Sequence, residues 1–252
     1  MCPRPRVVGC LLLGALCAGA ALVPPDILRV GAFSDQDPTR ERPADWQPIS
    51  FSNIDTKTEY DLVRRGDGSV VRARSNGGAA GLGTETRIDL TEHPILEWRW
   101  KVSGGVEEGS ARTKDGDDYA ARLYVTFDYD DLGFGDRVKL TALRALGYDE
   151  LPTRALNYIW ANRIEQGTVL QNPYTDWVMM VAVRSGEAEA GQWITERRNV
   201  LKDYREAFGE DPPPVNGIAI MTDTDNTGGT ATAYYGDIVF RAAPADSTNR
   251  TP

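Results

Sequence analysis

The stretch Lys114–Asp130, KDGDDYAARLYVTFDYD, decides the fold, because it joins a charged turn to the clearest period-2 run in the chain. Successive side chains of a strand point to opposite faces. Tyr119, Ala121, Leu123, Val125 and Phe127 therefore form an apolar row, and Ala120, Arg122, Tyr124, Thr126 and Asp128 a polar one. The apolar row packs. The polar row presents an arginine and a tyrosine from the middle of a sheet, where a charge needs a partner or a ligand.

Working outward, Ile95–Val102 alternates in the same way, with Leu96, Trp98, Trp100 and Val102 on one face and Glu97, Arg99 and Lys101 on the other. The paired tryptophans read as core, with a sugar-stacking platform as the alternative. VGAFS, Pro48–Phe51, Glu59–Arg64, Ser69–Ser75, Thr84–Leu90, Ala155–Ala161, Trp177–Val183, Val215–Thr222 and Thr230–Arg241 are further strand candidates separated by turn residues. Trp193–Val200 is a weaker one. The glycine-rich Ser75–Gly83 reads as a flexible turn, since a strand and not a helix follows it, which excludes a phosphate-binding fingerprint. Helical spacing is confined to two short segments, Asp136–Gly147 and LKDYREAFGE, each ended by a glycine. The fold class expected is therefore all-β, an antiparallel β-sandwich of jelly-roll type with one or two short helical insertions. It occupies residues 30–242 as one domain, after a leader over 1–20 and a linker over 21–29, with a polar disordered tail over 243–252.

The first twenty residues carry Arg4 and Arg6, an apolar run and Ala18-Gly19-Ala20, the pattern of a secretory signal peptide. The mature chain is expected in the periplasm or outside the cell, without a membrane span; retention of the leader as an anchor is the alternative. All three cysteines, Cys2, Cys10 and Cys17, lie in the leader, so the exported part has neither disulfide nor thiol chemistry. His93 is the only histidine, which removes the usual triads and most zinc sites. The formal charge of −9 becomes two units more negative when Arg4 and Arg6 are removed, and it argues against nucleic acid as a partner.

If the strands align their polar sides, Glu97, Arg99, Asp118, Arg122, Tyr124 and Asn157 form a groove floor. Arginine forks and a tyrosine suit an acidic glycan. The competing reading is an internal ladder in which Glu97, Asp117 and Asp118 neutralise the arginines. In TDTDNTGG, Asp223, Asp225 and Asn226 supply hard oxygen donors, with Asp237 on the following strand, so a structural calcium is the one cofactor the sequence suggests. The spacing is not that of an EF-hand, and an Asx-rich hairpin turn explains it equally. Carboxylates for glycosidase chemistry are available in Glu85, Glu97, Asp117 and Asp118, a weak signal in so acidic a chain.

LEWRWKV, KDGDDYAARLYVTF, LNYIWA, WITERRNVLKDYREAFGE and IAIMTDTDNTGGTATAYYGDIVF together resemble the exported bacterial family known as domain of unknown function 3047. The resemblance covers nearly the whole mature chain. It implies a β-sandwich like those of carbohydrate-binding modules and lectin-like jelly rolls, and it carries over no catalytic residue. Three functions follow. The first is a monomeric exported protein that binds a polysaccharide without catalysis. The second is a polysaccharide lyase or glycoside hydrolase on the same scaffold, with Tyr124, Arg122 and Arg99 as the lyase residues. The third is a structural protein of the cell envelope.

Overall fold

The computed structural model describes residues 27–127 and 154–243. The alternating segments in it become thirteen strands in chain order: β1 (Ile27–Gly31), β2 (Gln47–Ile49), β3 (Glu59–Arg65), β4 (Gly68–Asn76), β5 (Ala79–Ile88), β6 (Ile95–Val102), β7 (Arg122–Phe127), β8 (Ala155–Ala161), β9 (Val169–Gln171), β10 (Val178–Ser185), β11 (Ile194–Asn199), β12 (Val215–Asp223) and β13 (Thr230–Arg241). They make two sheets. The first runs β11-β6-β13-β4-β3, with β1 paired along the second half of β13; the second runs β2-β5-β12-β7-β8-β10-β9. This is the all-β sandwich that the alternation predicts.

Aromatic side chains join the sheets. Trp98 and Trp100 on β6 are fully buried and meet the second sheet ring against ring, Trp98 with Tyr158 at 5.3 Å and Trp100 with Trp160 at 6.0 Å between centroids. The tryptophan row is therefore core and not a sugar platform. Two tyrosines of the first sheet add directional bonds: Tyr60 donates to the Ala80 carbonyl at 2.6 Å, and Tyr235 donates to the Met221 carbonyl at 2.6 Å. These bonds fix the height of β5 and β12, the strands that carry the glycine-rich floor described below.

Within the otherwise antiparallel ladders, β8 and β10 run parallel, with Asn157 opposite Met180. Their sequences, ALNYIWA and VMMVAVRS, are apolar on both faces, as parallel strands covered on both sides tend to be. The cover on the outer side includes Ala111 and Tyr119, which pack with Ile159, Ala161, Met180 and Ala182 in a second apolar cluster. Tyr119 thus does not continue the inward row of Leu123, Val125 and Phe127. β7 begins only at Arg122, so the alternation read from Tyr119 breaks before the ladder starts.

Two other expectations shift. Only Gly77 and Gly78 form the turn in Ser75–Gly83, and Ala79 already belongs to β5. The small residues are needed because β2 lies close: a Cβ on Gly83 would sit 2.8 Å from the Ile49 Cδ1 atom. The residues 27–29 assigned to a linker belong to β1. The second helix forms as expected, as α1 (Val200–Phe208). Asn199 caps it by accepting from the Lys202 N–H at 3.0 Å, and Gly209 ends it in the left-handed region at φ 74°. The leader, the helix expected over 136–147 and the tail beyond 243 lie outside the described residues. Among the described residues no helix is long and apolar enough to cross a membrane.

Trp100→Ala removes a fully buried ring and one donor to Glu196, and it is expected to lower unfolding free energy by about 3–5 kcal/mol in denaturant titration. An unchanged midpoint would remove Trp100 from the core.

Candidate functional site

β7 places Arg122 on the outer face of the second sheet, but the arginine does not stand open there. It is 2% exposed. Its Nε donates to Asp223 Oδ1 at 2.8 Å and its Nη1 to Tyr124 Oη at 3.2 Å and Asp117 Oδ2 at 3.4 Å. Its Nη2 donates to Asp223 Oδ2 and to the Asp117 carbonyl. The Tyr119 ring covers the guanidinium face at 4.2 Å. Every donor is used, so the ion-pair reading holds for this residue, with Asp117 and Asp223 as the partners. Glu97 and Asp118 are not among them.

Beside this cluster a groove of about 1030 Å³ runs over the outer face of β2, β5, β12 and β7. Its floor is low, since Gly81, Gly83, Gly217 and Ala219 face it, with Ile49 lying against Gly81 and Gly83 and Thr126 against Gly217. Asp45, Gln47, Glu85, Thr126 and Asn216 add polar groups along it. One end is walled by Asp117, Asn172, Tyr174, Asp225 and Asn226. There the Asn172 amide donates to Asp117 Oδ2 at 3.1 Å and the Asn226 amide donates to Tyr174 Oη at 3.0 Å. Asp117 Oδ1 is buried without a partner.

The residues expected to share one groove separate into four places, of which the turn that Asp118 faces is described below. Arg122 and Tyr124 line it. Asn157 is opposite Tyr124 in the ladder but is wholly buried, with neither amide atom partnered. Glu97 and Arg99 are on β6, in the first sheet, where Glu97 accepts from Arg241 at 3.1 Å. The sandwich has two outer faces, and alternation within single strands does not say which strands share one. Asn172 and Tyr174 were not legible as site residues, because NPYTD reads as an ordinary turn.

Asp118 faces the 222–229 turn and organises it. Its Oδ2 accepts from the Thr227 N–H and hydroxyl, both at 2.7 Å, and its Oδ1 from the Asn226 N–H at 3.2 Å. Asp118, Asp223 and Asp225 each bring one carboxylate oxygen within 4.8 Å of the others. The donor set fits calcium poorly. Asp223 is held by Arg122 and accepts from the Tyr119 N–H, Asp118 is held by the turn, and Arg122 already supplies the positive charge. Asp237, suggested as a fourth ligand, is on the first sheet and accepts from the Ser34 N–H at 2.8 Å and hydroxyl at 2.6 Å.

Desolvation sets the electrostatics here. Burial pushes the carboxyls of Asp223, Asp117 and Asp225 above the ordinary range; Arg122 opposes this at all three, and Asp118 raises Asp225 further. Arg122 stays charged, because the facing carboxylates outweigh the burial that would discharge it. Burial lifts the Tyr124 phenol to about 12, against the pull of Arg122. The phenol keeps its proton at neutral pH. Its oxygen accepts from Arg122, so its hydrogen is free to donate.

Fold and groove together define a β-sandwich with an open cleft on one sheet, lined by polar and apolar side chains together. The chain belongs to the family described as protein of unknown function DUF3047, whose model matches residues 44–239. No match is found among curated proteins. Solved structures similar to it include the K1 cleaved adhesin domain of Lys-gingipain from Porphyromonas gingivalis W83, at 11% identity over 86% of this chain and 99% of that one, TM-score 0.38. The family 30 carbohydrate-binding module of the cellulosomal cellulase Cel9D-Cel44B of Clostridium thermocellum is similar at 14% identity, over 85% and 98%, TM-score 0.39. A β-1,2-glucanase from Parabacteroides distasonis is similar at 12% identity, over 85% of this chain and 25% of the enzyme, TM-score 0.41.

Arg122→Ala strands two buried carboxyls and is expected to lower stability by about 3–5 kcal/mol at neutral pH. The loss should shrink in acid. A carboxyl whose folded pKa exceeds its unfolded one contributes stability that is complete below the unfolded value and is lost as pH rises through the folded value. Without Arg122 the folded values of Asp117 and Asp223 rise further, so the variant regains stability on acidification, and a pH-independent loss measured by denaturation would contradict this.

With the turn organised by Asp118 and Arg122, chelator and added calcium are expected to leave the melting temperature unchanged. A fall in chelator that calcium reverses, and that Asp225→Ala abolishes, would put calcium in the turn.

Proposed function

We propose that this is an exported, non-catalytic β-sandwich protein that binds a polysaccharide in the groove on the outer face of its second sheet. The signal-peptide pattern at the N-terminus supports export. The observation that carries the binding reading is the composition of the groove: a floor of Gly81, Gly83, Gly217 and Ala219, walled by amides, carboxylates and the Tyr174 and Tyr124 rings. The small residues keep the floor low, and Ile49, which lies on Gly81 and Gly83, gives it an apolar patch against which a sugar ring can pack. Side-chain amides and carboxylates offer directional partners to hydroxyls, and an aromatic ring takes the C–H face of a sugar.

Charge selects among glycans. Among the described lining residues Asp45, Glu85, Asp117, Asp223 and Asp225 are acidic, and Arg122 is the one cation, already saturated. A uronate in this groove would meet carboxylates without a free arginine. A neutral polysaccharide suits it better than the acidic one that the arginine-bearing strand suggested.

The same geometry counts against lyase action. Tyr124, with its phenol lifted to about 12, is a poor base at neutral pH, and Arg99 is on the other sheet.

Affinity electrophoresis in gels cast with soluble neutral glucans and mannans tests the proposal. The protein is expected to be retarded by at least one of them without releasing reducing ends. Tyr174→Ala and Asn172→Ala should each weaken retention about tenfold with the fold intact. Retention by none, or retention untouched by both substitutions, would overturn it.

A further inference from the structure

The outer face of the first sheet carries an arrangement that the groove does not use. Lys101 on β6 lies beside two rings that touch at 6.3 Å between centroids, its Nζ 5.9 Å from the Trp193 centroid and 4.9 Å from that of Tyr234. Arg99 also lies over Trp193, at 5.0 Å, and Arg65 over Tyr234, at 5.1 Å. Three cations thus surround one pair of touching rings. Trp193 is 36% exposed, one of two large hydrophobic side chains left so open among the described residues.

The charges on this face are unevenly paired. Arg72 is matched by Asp61 at 2.5 Å, Arg74 by Glu59 at 2.9 Å and Arg241 by Glu97 at 3.1 Å. Among the described residues Arg65, Arg99 and Lys101 have no carboxylate partner, in a chain whose acidic residues outnumber its basic ones 37 to 28. The backbone is shaped to hold one of them. The β13 register breaks between Tyr235 and Ile238, and a Cβ on Gly236 would lie 2.4 Å from the Arg99 Cγ and Nε atoms. Glycine there lets Arg99 lie flat across the strand toward Trp193.

We infer that this strip is a second binding surface, separate from the groove, for a carboxylated polysaccharide. Arginine forks take carboxylates bidentately, and a partly open tryptophan covers a sugar face. A single-stranded nucleic acid fits less well. Trp193 and Tyr234 are tilted at 58° to each other and give no parallel platform for bases, and three cations would release few counterions against a net charge of −9. The strip and the groove have opposite charge, so one sandwich presents two surfaces suited to different glycans.

The test is titration of the full chain with polygalacturonate at low salt, with oligo-deoxythymidine and a neutral glucan alongside. Polygalacturonate is expected to bind, with log affinity falling as log salt rises. Lys101→Ala should reduce that slope, and Trp193→Ala should weaken binding about tenfold. Lys101→Glu should abolish binding while leaving retention by neutral glucan as it was. Gly236→Ala displaces Arg99 without removing any charge and should also weaken binding, whereas Lys101→Arg should keep it. No binding of polygalacturonate, binding indifferent to Lys101→Glu in a variant that melts as the wild type does, or tighter binding of the oligonucleotide would each overturn the inference.

Discussion

Arg122 is a guanidinium with almost no access to water, and its need for partners positions three segments: the end of β12, the connection before β7 and the start of β7. Asp223 lies in the first, Asp117 in the second and Arg122 itself in the third. Burying such a charge costs several kcal/mol unless hydrogen bonds replace its water. Here five donor contacts to Asp223, Asp117 and Tyr124 do so, and the Tyr119 ring closes the remaining face. The cluster holds the connection from Ser103 to Asp118 against the sheet. That connection in turn covers the apolar outer sides of β8 and β10, which would otherwise be wet. The same closure gives the groove one finished end.

Stability and recognition occupy different layers of the molecule. The cross-sheet contacts of Trp98 with Tyr158 and Trp100 with Trp160 join the sheets from inside, and the Tyr60 and Tyr235 hydroxyls bind the backbone of the opposite sheet. None of these groups reaches either outer face. Residues facing outward are released from packing, and the two outer faces differ accordingly. One has lost side chains at Gly81, Gly83 and Gly217 and gathered carboxylates around its rim. The other has gathered cations and rings.

The period-2 rows of β6 and β7 were legible because one face of each is apolar, and alternation reports that directly. The helix at Val200–Phe208 was legible from its spacing and from Gly209. Sheet membership was not. β6 and β7 each present a polar row, and nothing within either strand says that Arg99 and Arg122 point out of opposite sides of the sandwich. Arg122 also shows why exposure cannot be read from period 2. A polar row ordinarily faces water, but the Ser103–Asp118 connection folds over this one, and the carboxylates that seal it are 101 and 5 residues away in sequence. Asn172 and Tyr174 carry no pattern of their own, because a loop residue becomes a wall only when β9 and β10 place its loop beside β7.

Period 2 fails for one more physical reason, which also bears on function. Tyr119, Ala120 and Ala121 continue the apolar pattern of β7 but precede its first ladder pair; the Tyr119 and Ala121 carbonyls still accept from the Asp223 and Trp160 N–H groups, while the Tyr119 ring turns to the outer side and its N–H donates to the Asp223 carboxylate. A straight strand would have carried Tyr119 inward and left one face of the Arg122 guanidinium without its ring, though its donors would still meet Asp117, Asp223 and Tyr124. Turned outward, Tyr119 is a lid on the guanidinium. Together with Asp117 and Asp223 it closes the guanidinium off from the groove. The covering of Arg122 therefore depends in part on three residues of backbone path that composition and alternation both leave undetermined.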